Sequence, residues 1–476
     1  MIHGRIPFGF SVLHLIALVL LALPDAARAL TRDENQKLGF AIYKELVEIN
    51  TVTATGDTAA AADAMAARLL AAGFAPEDVK VFKPAPRKGN LVARLRGSGS
   101  RKPILLLAHL DVVPAKREDW STDPFKLVEQ DGYFYGRGTS DDKFMAAAYV
   151  ANLIRYKQEG YKPDRDIVVA LETDEEILDA NRLGINWLLA NHRDLIEAEF
   201  ALNEGGSVGL KAGKPVRNAV QMSEKISISY ELEVKNKGGH SSLPTKDNAI
   251  YRLAAGLVRL SEFDFPVKFN ETTRAYFERA AEWEGQQVAA DIRSVLSGKP
   301  DMASLSITRL SANPVYNAQL RTTCVATMLE GGHAVNALPQ TARAKVHCRI
   351  LPGESVPDVK ETLQRVLADD QITVTQIGEP ILSVPSELNL EVMGTIKKIT
   401  EEIWPGTPVV PFMSAGATDG SALRNAGIPT YGQTGLAGDM EDVRVHGKDE
   451  RVSVEAFYKG LDYHYRLVKA LSEGHG

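Results

Sequence analysis

Short apolar segments of strand length alternate with helical segments through the first part of the chain, and this alternation limits the possible folds more than any other feature. The helical segments include KFMAAAYVANLIRYKQEG, and the strand-like segments are NLVARLRG, PILLLAHLDVVP, DIVVALETDEE and AEFALNEGG. Alternation of this kind predicts an α/β sheet. Because single cores stop growing at about 250–300 residues, a chain of 476 residues should form two domains.

The pattern changes near Gly206 to alternating strands separated by amphipathic helices. The strands are KISISYELEV, 321–329 and 341–350, and the helices cover 247–261 and 272–297. These elements predict an inserted α+β domain. Strand and helix alternation resumes after Pro352, so the first domain should be discontinuous. We predict that the α/β domain covers 30–205 and 354–476 and that the insert covers 206–353.

The N-terminus has the features of a secretory signal peptide. Arg5 precedes an apolar stretch from Ile6 to Leu23, and small residues ending in Ala27-Arg28-Ala29 follow it. This order predicts removal of residues 1–29, which leaves no stable membrane anchor. A retained anchor is the alternative, but the stretch is shorter than the roughly 20 apolar residues of a spanning helix. We therefore expect an exported protein, periplasmic or secreted.

Charge and composition exclude nucleic acid as a partner. The formal net charge is -6, and charged residues make up 24% of an otherwise ordinary globular composition. Nucleic-acid binding depends on clustered Lys and Arg that neutralise phosphates. The chain has no basic patch of that kind.

The chain has two cysteines, Cys324 and Cys348, in the alternating segments RTTCVATMLE and ARAKVHCRIL. These segments flank a connection rich in Gly, Asn and Pro, and a symmetric hairpin would place the two thiols opposite each other. In an oxidising compartment they could form a disulfide if the geometry permits it. Two buried free thiols are the alternative.

Acidic and His residues follow the strongest apolar segments, where ligands of open α/β sheets bind. In AHLDVVP, His109 and Asp111 are two residues apart at the end of a strand, so their side chains leave on the same face. The Asp111 side chain can accept a hydrogen bond from one imidazole nitrogen and leave the other nitrogen for a metal ion.

Carboxylates follow three further segments. In GRGTSDDK, a carboxylate fixed at the start of a helix can present one oxygen to each of two cations, as Asp141 would. Crowding of Asp174, Glu175 and Glu176 is costly unless cations neutralise them or one is protonated. Adjacent side chains point in different directions, so Glu176 can bind a metal ion while Glu175 faces the attacking water. Glu204 is followed by two glycines that allow close backbone approach.

Two histidines in loops complete the candidate site. His446 in DVRVHGKDERV lies late in the α/β domain and can supply a second nitrogen ligand. His240 in KGGHSSLPT lies in the insert, within an exposed loop of glycines and serines.

Taken in order, these motifs resemble the co-catalytic dizinc hydrolases, a family that includes acetylornithine deacetylase, succinyl-diaminopimelate desuccinylase, aminoacylase, glutamate carboxypeptidase and carboxypeptidase S. The resemblance runs from about residue 35 to 470 and comprises HLDVVP, GRGTSDDK, TDEE, NEGG, GGHSSLP, GGHAVNALP and HGKDE. The length of the insert and the NEGG form most resemble the carboxypeptidase S subgroup.

The resemblance implies a zinc-exopeptidase-like catalytic domain with a mixed central sheet, interrupted by an inserted lid and dimerisation domain. It implies two bound Zn²⁺ ions, although Mn²⁺ or Co²⁺ would suit the same ligand types. Glu175 is implied as the general base and acid, and Asp111 as the residue that orients His109. The implied metal ligands, with Asp141 bridging, are His109, Asp141, Glu176, Glu204 and His446.

The resemblance also implies a homodimer formed through the insert, in which His240 and Asn336 reach the substrate in the site of the partner subunit. Arg349 matches a family arginine near the bound carboxylate of the substrate. The loop that begins at Gly416 resembles the loop that lines the substrate pocket, and Asp419 in that loop suits a structural role as well as a catalytic one.

Two positions depart from the family pattern. Phe144 replaces a small residue near Asp141, and Ile177-Leu178-Asp179-Ala180 follows Glu176 where a Gly-containing loop is expected. Both could reshape the substrate pocket.

The predicted activity is metal-dependent hydrolysis of an amide bond in small peptides, of the carboxypeptidase or dipeptidase type. An N-acyl amino acid deacylase is the alternative, because it would use the same catalytic groups. A catalytically silent binding protein of the same fold is a further alternative, and a missing ligand or base would favour it.

Overall fold

The computed structural model describes Met1 and residues 32–177, 182–298 and 300–473. Apart from Met1, the signal peptide predicted for residues 1–29 therefore lies outside the described residues. Among the described residues, no helix combines the length and apolar character needed to cross a bilayer. The helices are α1 (Arg32–Glu48), α2 (Thr58–Ala71), α3 (Lys143–Gln158), α4 (Ile185–Asn191), α5 (Arg193–Ile196), α6 (Ala249–Ser261), α7 (Glu271–Trp283), α8 (Gln286–Leu296), α9 (Pro300–Ser311), α10 (Pro314–Leu320), α11 (Val356–Leu367), α12 (Leu390–Ile403), α13 (Gly420–Asn425) and α14 (Val454–Ser472).

In the part of the chain that the structure describes, the strands form two main sheets and two small ones. They are β1 (Val79–Ala85), β2 (Lys88–Leu95), β3 (Ile104–His109), β4 (Val128–Gln130), β5 (Tyr133–Tyr135), β6 (Ile167–Glu172), β7 (Phe200–Asn203), β8 (Val208–Lys211), β9 (Lys214–Glu224), β10 (Ile226–Lys235), β11 (Gly239–His240), β12 (Thr323–Gly331), β13 (Ala337–Leu338), β14 (Thr341–Ile350), β15 (Ile372–Ile381), β16 (Val409–Ser414), β17 (Thr430–Gly432), β18 (Ala437–Asp439) and β19 (Arg451–Ser453). Two short 3-10 helices cover Pro76–Asp78 and Arg117–Asp119.

The large sheet has ten strands in the order β1-β2-β6-β3-β7-β17-β9-β8-β18, with β16 paired to β9. Strands β6, β3, β7 and β17 run parallel to their neighbours in this series, whereas β1 and β2 are antiparallel to each other and β2 is antiparallel to β6. The sheet is therefore mixed, which confirms the predicted α/β fold class.

Strands β3 and β6 are buried along their whole length because helices cover both faces of the sheet. Leu106 of β3 belongs to the core that contains α1, α3 and α14, and Leu105 belongs to the opposite core, with α4 and α13. Alternate residues of a strand point to opposite faces, so both neighbours have to be apolar. This explains the uninterrupted apolar segments in the sequence.

The second sheet is antiparallel, in the order β12-β14-β10-β15, and packs against α6 and α11. The positions at which the chain passes between the two sheets differ from the predicted limits of the insert, 206 and 353. Strands β8 and β9 belong to the large sheet, and α11 and β15 belong to the small one. The reason is that β9 leads into β10 with only Lys225 between them, so the alternation does not change where the chain crosses from one sheet to the other.

Helices α7 to α10 do not contribute to the hydrophobic core of the small sheet either. Their apolar residues pack with Ala219 of β9 and Val410 of β16, at the side of the large sheet. The insert therefore supplies helices to both structural units.

Cys324 and Cys348 lie directly opposite each other on β12 and β14 and form a disulfide, with the two Cα atoms 4.1 Å apart. Of the two alternatives left open by the sequence, the structure has the disulfide and not the free thiols.

Candidate metal centre

The predicted metal ligands lie at one edge of the large sheet. His109 is the last residue of β3, Glu175 and Glu176 follow β6, and Glu204 follows β7. Because β6, β3 and β7 are adjacent and parallel, their carboxyl ends meet at this edge. Asp141 precedes α3, and the peptide bond that joins it to Asp142 is cis.

The carboxylate of Asp141 lies between two imidazoles. Its Oδ1 atom is 2.9 Å from Nε2 of His109, and its Oδ2 atom is 3.1 Å from Nε2 of His446. Glu176 Oε2 is 3.0 Å from the same nitrogen of His446, and Glu204 Oε1 is 4.0 Å from Nε2 of His109. Each imidazole therefore has its own glutamate, and Asp141 is shared between them.

The side chains present fit two divalent ions. Candidate ligand atoms of His109, Asp141 and Glu176 lie within 4.8 Å of one another, as do those of His109, Glu175 and Glu204. Burial, together with the charges of Asp141 and Glu175, raises the pKa of Glu204 well above its ordinary value. Two cations would relieve this crowding of carboxylates, and imidazole with carboxylate is a ligand set that Zn²⁺, Mn²⁺ and Co²⁺ accept.

Metal binding at this site should release protons. Burial acts to lower the pKa of His109, but its hydrogen bond with Asp141 and the nearby carboxylates raise it well above the ordinary value. Hydrogen bonds with Asp141 and Glu176 raise the pKa of His446 to about 10. Without metal, both rings therefore hold an extra proton at pH 7, whereas a metal ligand must be unprotonated. We expect binding of two ions at pH 7 to release about two protons from the imidazoles.

Calorimetry of Zn²⁺ binding in buffers with different ionisation enthalpies measures this release. The contribution of His446 should fade as the pH approaches 10, because the ring then loses its proton before the metal binds. His446→Ala should release fewer protons than the unchanged chain. Binding of two ions without proton release would contradict the prediction.

Asp111 contacts His109 in a different way from the one expected. The carbonyl oxygen of Asp111, and not its carboxylate, accepts the hydrogen bond from Nδ1 of His109, at 2.9 Å, while Oδ1 of Asp111 is 3.8 Å from that nitrogen. The carboxylate instead accepts the backbone N–H groups of Glu175 and Glu176, at 3.2 and 3.1 Å. Asp111 therefore fixes the ring with its backbone and the two glutamates with its side chain.

The predicted substrate-binding residues and His240 do not contribute to the clusters of candidate ligand atoms. His240 and Asn336 are exposed, and Nδ1 of His240 contacts the hydroxyl of Ser242 at 2.7 Å. Arg349 lies on β14, and its buried Nη1 atom has no hydrogen-bond partner among the described residues. Gly416 is exposed, and its neighbours Ala415 and Ala417 are half-buried.

Asp419, at the start of α13, is buried close to the metal centre, and burial raises its pKa to about 7. Arg182 donates to its Oδ1 atom at 3.0 Å and to the carbonyl of Ile177 at 2.7 Å. Arg182 was not anticipated from the sequence, which has no motif around it. Asp419 is therefore tied to the segment that follows Glu176.

The two departures from the family pattern have different surroundings. Phe144 is fully buried, and its ring lies 5.7 Å from that of Phe457 and 6.5 Å from that of Tyr43, in the core between helices. Its side chain therefore lines no accessible surface. Residues 178–181 lie outside the described residues.

A carboxylate shared by two imidazoles, at the carboxyl edge of a mixed α/β sheet, defines a dinuclear metallohydrolase. Residues 105–470 match the model of a protein family that is described as "Peptidase family M20/M25/M40". The chain belongs to this family, and it is a metal-dependent hydrolase of amide bonds. This match confirms the family that the sequence motifs resemble.

Relatives and solved structures agree with this membership. The chain is 30% identical to the N-fatty-acyl-amino acid synthase/hydrolase PM20D1 of Xenopus tropicalis, over 77% of this chain and 72% of the relative. It is also 30% identical to a Dictyostelium discoideum protein named "Probable carboxypeptidase S-like 2", over 78% and 72%. The fold is similar to that of the M20 family metallo-carboxypeptidase Sso-CP2 from Sulfolobus solfataricus, with a TM-score of 0.67, 17% identity and coverage of 91% and 99%.

Proposed function

We propose that this enzyme hydrolyses the amide bond next to a free carboxylate in small peptides, as a carboxypeptidase or dipeptidase, with Glu175 as the general base. The observation that carries this proposal is the position of Glu175, whose carboxylate lies with His109 and Glu204 in one cluster. Its backbone N–H donates to Asp111, which fixes the segment on which it lies. Burial raises the pKa of Glu175 to about 7, so the same carboxylate can accept and return a proton near neutral pH.

The roles of the surrounding residues follow from their contacts. His109 and Glu204 would hold one ion, His446 and Glu176 the other, and Asp141 would bind both. Zn²⁺ is the proposed metal, because two imidazoles with three carboxylates suit it. Two divalent ions, when bound, lower the pKa of water and polarise the scissile carbonyl. Glu175 takes the proton from the attacking water and delivers it to the leaving amine.

Arg349 is proposed to bind the carboxylate of the substrate. Its side chain is half-buried, and burial lowers the pKa of its guanidinium although the nearby Glu224 carboxylate acts to raise it. Its unpartnered Nη1 atom is a donor that a carboxylate could satisfy. The loop around Gly416 and Asp419 would line the other side of the pocket.

A homodimer is proposed through strand β12. This strand lies at the edge of the small sheet, and Val325, Met328 and Leu329 on it are 61%, 50% and 68% exposed. Tyr251 and Val258 on the adjacent helix α6 are also exposed. An unpaired strand edge with apolar side chains favours pairing with another chain. In such a dimer, His240 and Asn336 would reach the site of the partner subunit.

An N-acyl amino acid deacylase is the second candidate. The observation that favours it is the 30% identity to a protein named N-fatty-acyl-amino acid synthase/hydrolase. A deacylase and a carboxypeptidase would use the same metal ligands and the same base, and they differ only in what lies on the amine or acyl side of the bond.

The test is amine release from a panel of dipeptides and a panel of N-acyl amino acids, with metal-free protein and after addition of Zn²⁺, Mn²⁺ or Co²⁺. We expect metal-dependent cleavage of dipeptides and the highest kcat/KM with Zn²⁺. Cleavage confined to N-acyl amino acids would replace the peptidase proposal with the second candidate. No cleavage in either panel, with two ions bound, would overturn both.

We also infer that the enzyme is exported, with residues 1–29 removed. The Cys324–Cys348 disulfide supports this inference because disulfides persist in oxidising compartments. The mass of the mature chain should correspond to a start at Leu30, and recovery of the chain from the cytoplasm with residues 1–29 still attached would contradict export.

A further inference from the structure

A buried ion pair joins the two loops that carry Asp141 and His446. Nη1 of Arg137 donates to Oε2 of Glu450 at 2.6 Å, and the two side chains are 2% and 1% exposed. Arg137 lies in the motif GRGTSDDK and Glu450 in the motif HGKDE. Neither residue has a role in the predicted site. A buried pair is costly to desolvate, so its many contacts have to compensate for the lost water.

On one side, Glu450 fixes the backbone that leads to Asp141. Its Oε1 atom accepts the backbone N–H groups of Ser140, at 2.8 Å, and of Asp141, at 3.3 Å, as well as the Ser140 hydroxyl at 3.0 Å. Its Oε2 atom also accepts the N–H of Gly138, at 3.3 Å. One carboxylate therefore fixes residues 138–141, which end at the shared metal ligand.

On the other side, Arg137 fixes the backbone around His446. Its Nη2 atom donates to the carbonyl of Gly447 at 2.9 Å and to that of His446 at 3.3 Å. His446 has φ +62°, a conformation that non-glycine residues adopt only when their surroundings hold them there. The bonds from Arg137 to the two successive carbonyls supply such a constraint.

The imidazole of His446 depends on this constraint, because an exposed side chain is not held in position by packing against a core. The side chain of His446 is 52% exposed, and Val443 and Val445 in the same loop are exposed as well. Its imidazole must nevertheless stay within about 3 Å of Asp141 and Glu176. Strand β19, which follows Glu450, pairs with β5, which precedes Arg137, so both loops leave one antiparallel pair.

We propose that Arg137 and Glu450 are positioning residues that hold the Asp141 loop and the His446 loop together, and thereby fix the site of the metal ion that His446 binds. This inference rests on the proposed two-ion function. It adds that the His446 ion depends on the pair much more than the His109 ion does, because His109 is the last residue of a buried strand and has its own contact with Asp111.

The test is Arg137→Lys, which keeps the charge beside Glu450 but removes the forked side chain that reaches the two carbonyls. Zn²⁺ is added to metal-free protein, and native mass spectrometry and calorimetry count the ions and measure each affinity. We expect the affinity for one ion to fall about 10- to 100-fold, the usual effect of removing a group that orients a ligand. The affinity for the other ion should change little.

Arg94→Lys is the matched control. Arg94 likewise donates to a carboxylate, that of Asp166 at 2.7 Å, and to a carbonyl, that of Leu195 at 3.1 Å, but it pairs with the start of β6, away from the site. Both ions should bind to Arg94→Lys as they bind to the unchanged chain. In a His446→Ala background, Arg137→Lys should leave the affinity of the remaining ion unaltered.

Unchanged binding of both ions by Arg137→Lys would overturn the positioning role alone. If that variant does not fold, Ser140→Ala decides, because it removes one hydrogen bond to Glu450 and leaves the ion pair intact. Weaker binding of one ion by Ser140→Ala supports the proposal. If Ser140→Ala binds both ions with the affinities of the unchanged chain, the proposal is overturned. An unchanged chain that binds fewer than two ions would overturn the proposed function and the positioning role with it.

Discussion

Glu175→Ala is expected to lower kcat by about 10²- to 10⁴-fold, the usual contribution of a general base, while both metal ions stay bound. The structure provides the reason for this separation of effects. Glu176 lies against His446, whereas Glu175, one residue earlier, clusters with His109 and Glu204. His109 and Glu204 would still hold their ion with Asp141 when the Glu175 carboxylate is removed.

Steady-state kinetics with the best substrate of the panel, together with metal content by mass spectrometry, measures both effects on one preparation. Glu176→Ala is the matched control, since it removes a carboxylate from the adjacent position and should lose an ion as well as activity. Loss of an ion from Glu175→Ala, with retention by Glu176→Ala, would show that the roles of the two glutamates are exchanged.

His240→Ala is expected to lower kcat by about 10²- to 10³-fold, the effect of removing one donor to the developing oxyanion. The same residue should act on the partner subunit, because it is exposed and is not among the clustered ligand atoms of its own chain. A mixture with Glu175→Ala should therefore regain activity, although each variant alone is nearly inactive. At random exchange half of the dimers are mixed, and each has one intact site, so about a quarter of the activity of the unchanged enzyme should return.

Native mass spectrometry of the mixture shows whether subunits exchange. Ser242→Ala is a control for the loop itself, since it removes the hydroxyl that contacts His240 and leaves the imidazole in place. Mixed dimers without recovered activity would contradict the action of His240 on the partner. A monomer at all concentrations would contradict the dimer.

The position of the metal centre could be predicted from the sequence because strong local constraints determine it. Strands β3 and β6 have to be apolar on both faces, and the polar residues that follow them stand out sharply. Parallel strands that are neighbours in the sheet bring those residues to one edge. His109, Glu175, Glu176 and Glu204 are brought together in this way.

Other features have no local signal. The chain crosses between the sheets at Lys225, within an alternation that continues from β9 to β10, so the limits of the insert are not visible in the pattern. The contact of Arg137 with Glu450 joins residues 313 positions apart. The use of the Asp111 carbonyl in place of its carboxylate depends on a difference of 2.9 against 3.8 Å, which only the folded backbone determines.

The disulfide makes the edge strand less free to separate from its sheet. It closes a loop with a sequence separation of 24 residues, and a crosslink over such a loop raises the free energy of the unfolded chain by about 3.5 kcal/mol at 25 °C because it reduces the conformational entropy. Strand β12 is otherwise held by backbone hydrogen bonds to β14 on one side only. In a reduced chain, β12 would therefore fray in local openings that leave the ten-stranded sheet intact, and the proposed dimer surface would be lost before the metal centre is disturbed.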